Sequence, residues 1–314
     1  MKRQLSILFC LGFTAAVLSA CESSYGRYDN AGLYEAGDFS YAATNVKEIE
    51  IDWSGGSIEI QQCENDTLSA FENARLKSNT AKMHHYLDGD TLKIEYCASG
   101  YQGKIGEEDK NLQLEIPKGI DLHIETKNAP VSIGSIEVRS LSIESHSGDI
   151  TGEKWIVETD VEIETVSGFV SVGELQAQDL DFDGKSGGLS IERCDLRQID
   201  GETTSGAIKL GVVGECIGSL ETTSGNVTLR LGEEGGLSVR FKSFAGELKT
   251  EREYQKDNRY LFVEKNEENL WQIGVDTISG NLFVCQFSIL NFQFSISLVL
   301  PLPCGECRQQ QMRG

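Results

Sequence analysis

Apolar and polar residues alternate with a period of two along most of the chain. A representative stretch has Leu141 and Ile143 as its apolar positions, then Ser147-Gly148, and resumes the alternation at Ile150. Successive side chains of a strand point to opposite faces, so this pattern predicts half-buried β-strands and no helix. Each Ser-Gly pair is predicted to lie in a turn, where glycine supplies the positive φ that a β-carbon would penalise.

The alternating unit is repeated along the chain. The stretch "ETTSGAIKL" from Glu202 returns as "ETTSGNVTL" from Glu221, nineteen positions later. Outlying copies are "IEIDWSGGSIEI" from Ile49 and "VDTISGNLFV" from Val275, and "FKSFAGELKT" from Phe241 is a degraded copy. The central copies, spaced by 19 or 20 residues, begin with an acidic residue at Glu125, Glu144, Glu164, Asp183, Glu202 and Glu221.

One such unit is too short to bury its own apolar side. Stacking the units buries a continuous core and pairs each strand with its equivalent in the next unit, at a spacing of about 4.8 Å. We therefore predict an all-β, single-domain β-solenoid, similar to a β-helix, with rungs of about 19 residues. The alternative is a β-sandwich of regular hairpins, but one template that persists for over a hundred residues favours the solenoid.

The first twenty residues have the pattern of a cleaved signal. Basic Lys2 and Arg3 precede an apolar stretch, which ends in "LSAC" at Cys21. Small residues followed by cysteine resemble the lipobox of bacterial lipoproteins, in which the signal is cut before the cysteine and its sulfur carries a diacylglycerol. We expect a signal peptide over 1–20, a lipid on Cys21 that anchors the protein to a membrane, and an extracytoplasmic location in the bacterial cell envelope. The alternative is a plain signal peptide in which Cys21 is incidental.

The remaining chain divides into segments that match the repeated unit to different degrees. We predict a lipidated cysteine and flexible tether over 21–40 and the solenoid over 41–284, with irregular first rungs at 41–124, regular rungs at 125–240 and interrupted last rungs at 241–284. An atypical apolar tail occupies 285–314 and is expected to add a capping strand or to be a foreign extension. Of the nine cysteines, Cys10 is lost with the signal and Cys21 carries the lipid, which leaves seven, an odd number, and Cys63 and Cys97 are placed where they could form a bridge.

The chain is strongly acidic, with a formal net charge of −21. A nucleic-acid partner is therefore not expected, because phosphate binding needs clustered Lys and Arg. If the rungs stack, the six acidic residues that open the central copies form a ladder, extended by Asp52 and Asp276 in the outlying copies. The repulsion along it suggests either a solvated acidic face or weak, multi-site binding of divalent cations such as calcium.

Several motifs that carry chemistry elsewhere lack their context here. "DLDFDG" from Asp179 opens like a calcium-binding EF-hand loop, but the twelfth position is Ser190 instead of glutamate. "GKSGG" matches a nucleophile elbow, yet Ser186 occupies a position that is serine in most other rungs. The four histidines have no zinc-ligand spacing, and "CGEC" from Cys304 is a lone pair. We predict no catalytic residues and no cofactor beyond weak calcium.

A lipobox, an early "IEIDWSGGSIEI", a middle "LQLEIPKGIDLHIET" and serial "ETxSGxVxL" rungs together resemble the bacterial "putative adhesin" family, over roughly residues 46–284. The resemblance implies a β-solenoid in the cell envelope, with no catalytic residues to carry over. We interpret the chain as a non-catalytic lipoprotein whose repeated surface binds a glycan or protein ligand, with the acidic ladder as its candidate face. The alternatives are a structural spacer and a polysaccharide-active β-helix enzyme.

Overall fold

Strands account for nearly all the regular structure of the chain. The computed structural model describes residues 26–286, except 65–66, 75, 77, 104, 106–109, 232–235, 251–254, 258–259 and 264–269. Three single-turn 3-10 helices, Ala31–Leu33, Ala43–Asn45 and Asn79–Ala81, accompany the strands in this part of the chain. The strands are β1 (Glu35–Ala36), β2 (Phe39–Ala42), β3 (Glu48–Trp53), β4 (Ser57–Gln62), β5 (Thr67–Ala74), β6 (His84–Asp88), β7 (Thr91–Glu95), β8 (Lys110–Ile116), β9 (Asp121–Thr126), β10 (Val131–Val138), β11 (Ser140–Ser145), β12 (Ile150–Val157), β13 (Asp160–Thr165), β14 (Val170–Gln176), β15 (Asp179–Gly184), β16 (Leu189–Asp195), β17 (Gln198–Thr203), β18 (Ile208–Val213), β19 (Cys216–Thr222), β20 (Val227–Leu231), β21 (Gly236–Ser243), β22 (Leu248–Thr250), β23 (Gln255–Asp257), β24 (Tyr260–Val263), β25 (Leu270–Thr277) and β26 (Leu282–Gln286).

Two long sheets face each other, and each rung contributes one strand to each sheet. From β9 to β20 every odd-numbered strand lies in one sheet and every even-numbered strand lies in the other, and each pairs in parallel with its equivalent in the next rung. Ile208 is opposite Val227, as stacking requires. The predicted solenoid is therefore confirmed, because a sandwich of hairpins would pair neighbouring strands in antiparallel fashion.

At both ends the stacking order differs from the chain order. Strands β3 and β4 pair directly with β9 and β10, so that β7 and β8 lie outside them. At the other end β25 and β26 pair with β19 and β20, and β21 and β22 lie outside. The outlying copies that match the template thus stack on the regular rungs, and the degraded copies form the ends.

Antiparallel strands close the ends of the 14-stranded sheet among the described residues: β6 and β1 lie beyond β7, and β24 and β23 lie beyond β21. In the 12-stranded sheet β5 and β2 lie beyond β8 in the same way. Such strands cover unpaired backbone groups that would otherwise attract another chain.

The core fills the space between the two sheets. Inward-pointing residues recur along the strands β9 to β20, and the largest fully buried side chains include Trp53, Trp155, Trp271 and Phe182. The ring of Phe182 is opposite Gly201 in the next rung. A large core residue in one rung is therefore matched by a small one in the next, so that the core stays closely packed and the backbone path is unchanged.

The Ser-Gly turns form for a different reason from the predicted one. Gly206 and Gly225 do not have positive φ, so the prediction based on φ is wrong for them. A Cβ at Gly206 would overlap the carbonyl oxygen of Gly187, one rung below, and a Cβ at Gly225 would overlap that of Gly206. Glycine is needed here because the turns stack too closely to admit a side chain.

The threonine of the Thr-x-Ser-Gly unit closes the same turn from inside. The buried hydroxyl of Thr203 accepts a hydrogen bond from the Gly206 amide at 3.1 Å. The Thr222 hydroxyl accepts one from Gly225 at 2.7 Å. A buried amide without a partner would be costly, so the motif is a structural requirement of the turn.

A buried ion pair stabilises the N-terminal end of the solenoid. Lys110 is fully buried, and its ammonium group lies 2.6 Å from the carboxylate of Glu72. The ammonium group also donates hydrogen bonds to the carbonyl oxygens of Ala81 and Tyr96, and it lies 5.0 Å from the centre of the Trp53 ring. The pair and these acceptors together compensate for the removal of both charges from water.

Two predictions about the N-terminal part need correction. The tether predicted over 21–40 is packed against the domain from Tyr28 onward, because the Tyr28 hydroxyl donates to the Cys97 carbonyl at 3.1 Å and β1 pairs with β6. Cys97 is a buried free thiol, so the bridge considered between Cys63 and Cys97 is not formed.

Some predicted features lie outside the described residues. These are the signal peptide over 1–20, the lipidation site at Cys21, the first part of the tether and all of the apolar tail except residues 285–286. Within the described residues, none of the helices has the length and apolar character needed to cross a membrane.

Candidate functional site: the acidic ladder

The acidic residues predicted to form a ladder do lie in one column. They are outward-facing residues of the 14-stranded sheet, and each is opposite the next in register. Because of the stacking order at the ends, Asp52 and Asp276 join the column directly and Glu95 extends it by one rung. In stacking order the ladder is Glu95, Asp52, Glu125, Glu144, Glu164, Asp183, Glu202, Glu221 and Asp276, after which Lys242 follows.

Strand alternation explains why every one of these side chains points outward. Glu202, for example, lies between the buried residues Gly201 and Thr203 near the end of β17. Thr203 must face inward to close its turn, so the residue before it must face solvent. The acidic position is therefore tied to the turn motif, and it is repeated wherever that motif is repeated.

More carboxylates lie on the same face, two and four residues before the ladder. A second column places Glu162, Asp181 and Asp200 side by side. A third column contains Asp160 opposite Asp179. Counting two residues back from each ladder position in the sequence would have found them. The result is a two-dimensional acidic surface, which we call the acidic face, instead of a single line of charge.

Three carboxylates in the middle of the acidic face, Glu164, Asp181 and Glu202, are harder to ionise than isolated ones. Burial, followed by the neighbouring charges of Glu144 and Asp183, raises the pKa of Glu164. Burial also raises the pKa of Glu202, with further contributions from Asp183 and Glu221. Adjacent rungs are close enough for two carboxylates to repel by about 3 kcal/mol at an effective dielectric constant of 20. The ladder therefore stores electrostatic repulsion that a proton or a cationic ligand would relieve.

The rise in carboxyl pKa is largest at the N-terminal end of the ladder. Burial, with the charges of Asp52 and Glu125, raises the pKa of Glu95 to about 7. Burial and the charge of Glu125 raise the pKa of Asp52. Two aromatic rings cover this end, Tyr34 and Tyr86, whose centres are 5.4 Å apart. Glu95 was not predicted as a site residue, since its strand does not follow the template.

The ion pairs found on this face, among the described residues, lie toward its ends. Lys93 is 3.3 Å from Glu50 and Arg139 pairs with Asp121 toward one end, and Arg240 is 3.8 Å from Asp276 at the other. Nearer the centre, a hydroxyl group contacts a carboxylate in place of a basic side chain: Ser219 donates a hydrogen bond to Asp200 at 2.7 Å. In the middle of the face the side chains of Glu164, Asp183 and Glu202 are exposed to solvent.

The motifs set aside in the sequence have structural roles. Asp179, Asp181 and Asp183 lie on strand β15 and not in a calcium-binding loop. Ser186 lies in the turn between β15 and β16, where its amide donates to the carbonyl oxygen of Val166 in the previous rung. Within the described residues, no group of three or more His, Cys, Asp or Glu side chains is arranged to hold a metal ion.

The stacked two-strand rungs and their glycine turns define a β-solenoid of the toastrack type. The family model Toastrack DUF4097 matches residues 46–284, and the chain belongs to this family. No curated protein has significant similarity to the chain.

Several solved structures are similar to this chain at low identity. One is named as a putative adhesin from Bacteroides fragilis NCTC 9343, with 10% identity and a TM-score of 0.44, covering 80% of this chain and 97% of that chain. A putative adhesin from Parabacteroides merdae ATCC 43184 has 12% identity and a TM-score of 0.39, covering 82% and 97%. A putative lipid binding protein from Parabacteroides distasonis ATCC 8503 has 13% identity and a TM-score of 0.39, covering 80% and 97%.

Proposed function

We propose that the protein is a non-catalytic binding scaffold of the bacterial cell envelope, held to a membrane by a lipid on Cys21. Its ligand surface is the acidic face, and its ligand is a positively charged glycan or protein surface. The observation that carries this proposal is the unbroken register of nine carboxylates from Glu95 to Asp276. A repeated charge at a fixed spacing favours many weak contacts made together, so that avidity supplies the affinity.

The acidic face also distinguishes this proposal from the enzyme alternative. A polysaccharide-active enzyme would need one rung in which unlike catalytic groups meet, such as paired carboxylates beside an arginine. The regular rungs instead repeat an acidic residue at the ladder position, from Glu125 to Glu221. Much of the interruption predicted in the last rungs, residues 251–254, 258–259 and 264–269, lies outside the described residues.

The test is an array of glycans and extracellular-matrix proteins that includes cationic members. In a first variant the centre of the face is neutralised by E162Q, E164Q, D181N and D183N. A matched control, E59Q with E153Q, E174Q and E192Q, makes the same change in charge on the opposite sheet. We expect the first variant to lose retention on cationic ligands by about tenfold or more, and the control by less than about twofold, because avidity multiplies local contacts.

Equal losses in the two variants would mean that net charge alone drives binding, which contradicts the proposal. Retention of no array member by the unaltered protein would favour the structural spacer. Salt provides a further check, because contacts between exposed charges weaken as ionic strength rises.

We also propose weak, multi-site binding of divalent cations along the ladder, because the raised pKa values of Glu164 and Glu202 indicate unrelieved repulsion. Calcium prefers oxygen ligands and could bridge carboxylates of adjacent rungs. Calorimetry at millimolar calcium should detect uptake in the unaltered protein and reduced uptake in the variant with a neutralised centre. No uptake at that concentration would exclude the hypothesis.

A further inference from the structure

A pocket of about 440 Å³ lies at the C-terminal end of the ladder, where the acidic face meets the turns. Three ladder carboxylates form one side of it: Glu202, Glu221 and Asp276. Phe244 and Ile278, both from turns, form another side. The pocket therefore combines negative charge with apolar surface, and Lys242 also lines it.

We propose that this pocket binds an arginine side chain displayed by a partner protein. The inference rests on the proposed function, and deepens it, because it names one group that the acidic face recognises. Three observations support it: the exposure of Phe244, the unused hydrogen-bonding capacity of Asp276 and the spacing of the carboxylates.

Phe244 is 92% exposed, and its neighbour Ile278 is 57% exposed. The two residues are adjacent in the stack, because Ser243 is opposite Thr277 one position earlier. An aromatic ring left in water beside a carboxylate is suited to a cation that places its flat face on the ring. Exposed aromatic residues in pockets are also typical centres of protein–protein binding energy.

Asp276 has a carboxylate oxygen that is not satisfied within the described residues. Its Oδ1 is sealed from solvent and accepts no hydrogen bond there, while its Oδ2 is 3.8 Å from Arg240, beyond ordinary hydrogen-bond length. A buried acceptor without a donor is unfavourable. The Asp276 side chain as a whole is 31% exposed, so the atom that a partner's guanidinium group, with its five N–H donors, would reach is Oδ2.

The spacing of the carboxylates favours arginine over other cations. Glu221 is opposite Asp276 in register, so their side chains are separated by about one strand spacing, 4.8 Å. A planar guanidinium can donate to both carboxylates and stack on Phe244 at the same time, whereas an ammonium group is a compact point charge. A bare divalent cation would gain nothing from Phe244 or Ile278, and Lys242, which also lines the pocket, repels a doubly charged ion more strongly than a singly charged guanidinium.

The experiment uses the full protein and a monovalent peptide, acetyl-Gly-Gly-Arg-Gly-Gly-amide, with binding followed by NMR titration. Matched peptides carry lysine or the neutral isostere citrulline in place of arginine. We expect the arginine peptide to bind about tenfold more tightly than the citrulline peptide, since the charge is lost but the shape is kept. The lysine peptide should lie between them.

Two protein variants locate the binding. F244A removes the ring and D276N removes one charge without changing the shape of the side chain. Each should lower the affinity for the arginine peptide by about five- to tenfold. The controls are F169A, another exposed aromatic residue, and E153Q, a carboxylate on the opposite sheet. Each control should change affinity by less than about twofold, because neither residue lines the pocket.

Unchanged binding in both F244A and D276N would overturn the proposed arginine site, and so would an equal loss in E153Q, which would show attraction to net charge alone. If the arginine peptide does not bind while cationic array ligands are still retained, the proposed arginine site is wrong and the proposed function stands. If neither the arginine peptide nor any cationic array ligand binds, both proposals are wrong. Thermal unfolding of each variant checks that the fold is preserved.

Discussion

Lys110 carries its ammonium group into the core, where an unpaired charge would be very unfavourable. Burial lowers the pKa of Lys110, and the hydrogen bond and charge of Glu72 oppose that shift. The same Glu72 carboxylate also accepts the Met83 amide at 2.9 Å. At the scale of single residues, the N-terminal end of the solenoid therefore depends on a charge pair and not on apolar packing alone.

We expect K110M to destabilise the fold by about 3–5 kcal/mol, because the Glu72 carboxylate is then buried without a counter-charge. Adding E72Q should restore at least half of the loss, since glutamine keeps an acceptor for the Met83 amide but no charge. Urea unfolding of the two variants measures both effects. A double variant no more stable than K110M would show that the pair's charge is not the cause.

Glu95 makes stability depend on pH. Its pKa is about 7 in the folded protein, above the ordinary value of 4.5, so the folded state binds a proton more tightly than the unfolded state. Stability is then greatest at low pH and is lost as pH rises through about 7. The nearby charged groups are Asp52, Glu125, Glu50 and Lys93, of which Lys93 alone opposes the shift.

Raising the pH from 5 to 8 should lower the free energy of unfolding by about 1–3 kcal/mol through this group, since one pKa unit corresponds to about 1.4 kcal/mol. E95Q, which resembles the protonated form, should remove that part of the dependence. E153Q, on the opposite sheet, is the control and should retain it. Denaturant unfolding at the two pH values provides the comparison, and equal pH dependence in E95Q and the unaltered protein would contradict the assignment.

At the scale of elements, the turn motif and the acidic position form one unit. The glycine permits close stacking, the threonine closes the turn, and the residue before the threonine must face solvent. A change in one rung is therefore transmitted to the next, because the turns touch through backbone atoms. This coupling explains why the motif persists across rungs while other positions vary.

We expect G206A to destabilise the fold by about 3 kcal/mol, because its Cβ would overlap the Gly187 carbonyl oxygen and the stack would have to open. The neighbouring S205A is the matched control. It removes only a long contact of 3.4 Å to the Lys185 carbonyl oxygen and should cost less than about 0.5 kcal/mol. Thermal and urea unfolding distinguish the two, and similar losses would show that stacking distance does not limit the turn.

At the scale of the whole molecule, the distinguishing feature is the rearranged order of the end rungs. A solenoid wound in strict chain order would place Lys242 beside Glu221. The structure instead inserts β25 between them, which brings Asp276 to Glu221. This order completes the acidic ladder and builds the pocket beside Phe244.

Paired cysteines test that order directly. Neighbouring strands bring Cα atoms within the range that a disulfide can span, about 4.4–6.8 Å. E221C with D276C should therefore cross-link on oxidation, whereas E221C with K242C should not, since a strand separates them. Mass spectrometry of digested peptides identifies the bond. The reverse result would show that the rungs follow chain order.

Much of the fold could be predicted because the repeat is a local pattern. The alternation around Ile208 and Val227 indicates which side chains are buried, and the fixed period indicates that they stack. The outward direction of Glu202 and its equivalents follows from the same two facts. The reason for glycine at Gly206 could not be predicted, since it depends on the distance between rungs.

What the sequence alone determined is the solenoid, its rung length and the outward acidic position in each rung, because these depend on residues close together in the chain. Only the tertiary structure decided that Glu95 joins the ladder, that Lys110 pairs with Glu72 and that Asp276 lies beside Glu221 and Phe244. These contacts join residues far apart in the chain, and the packing of whole rungs against one another selects them.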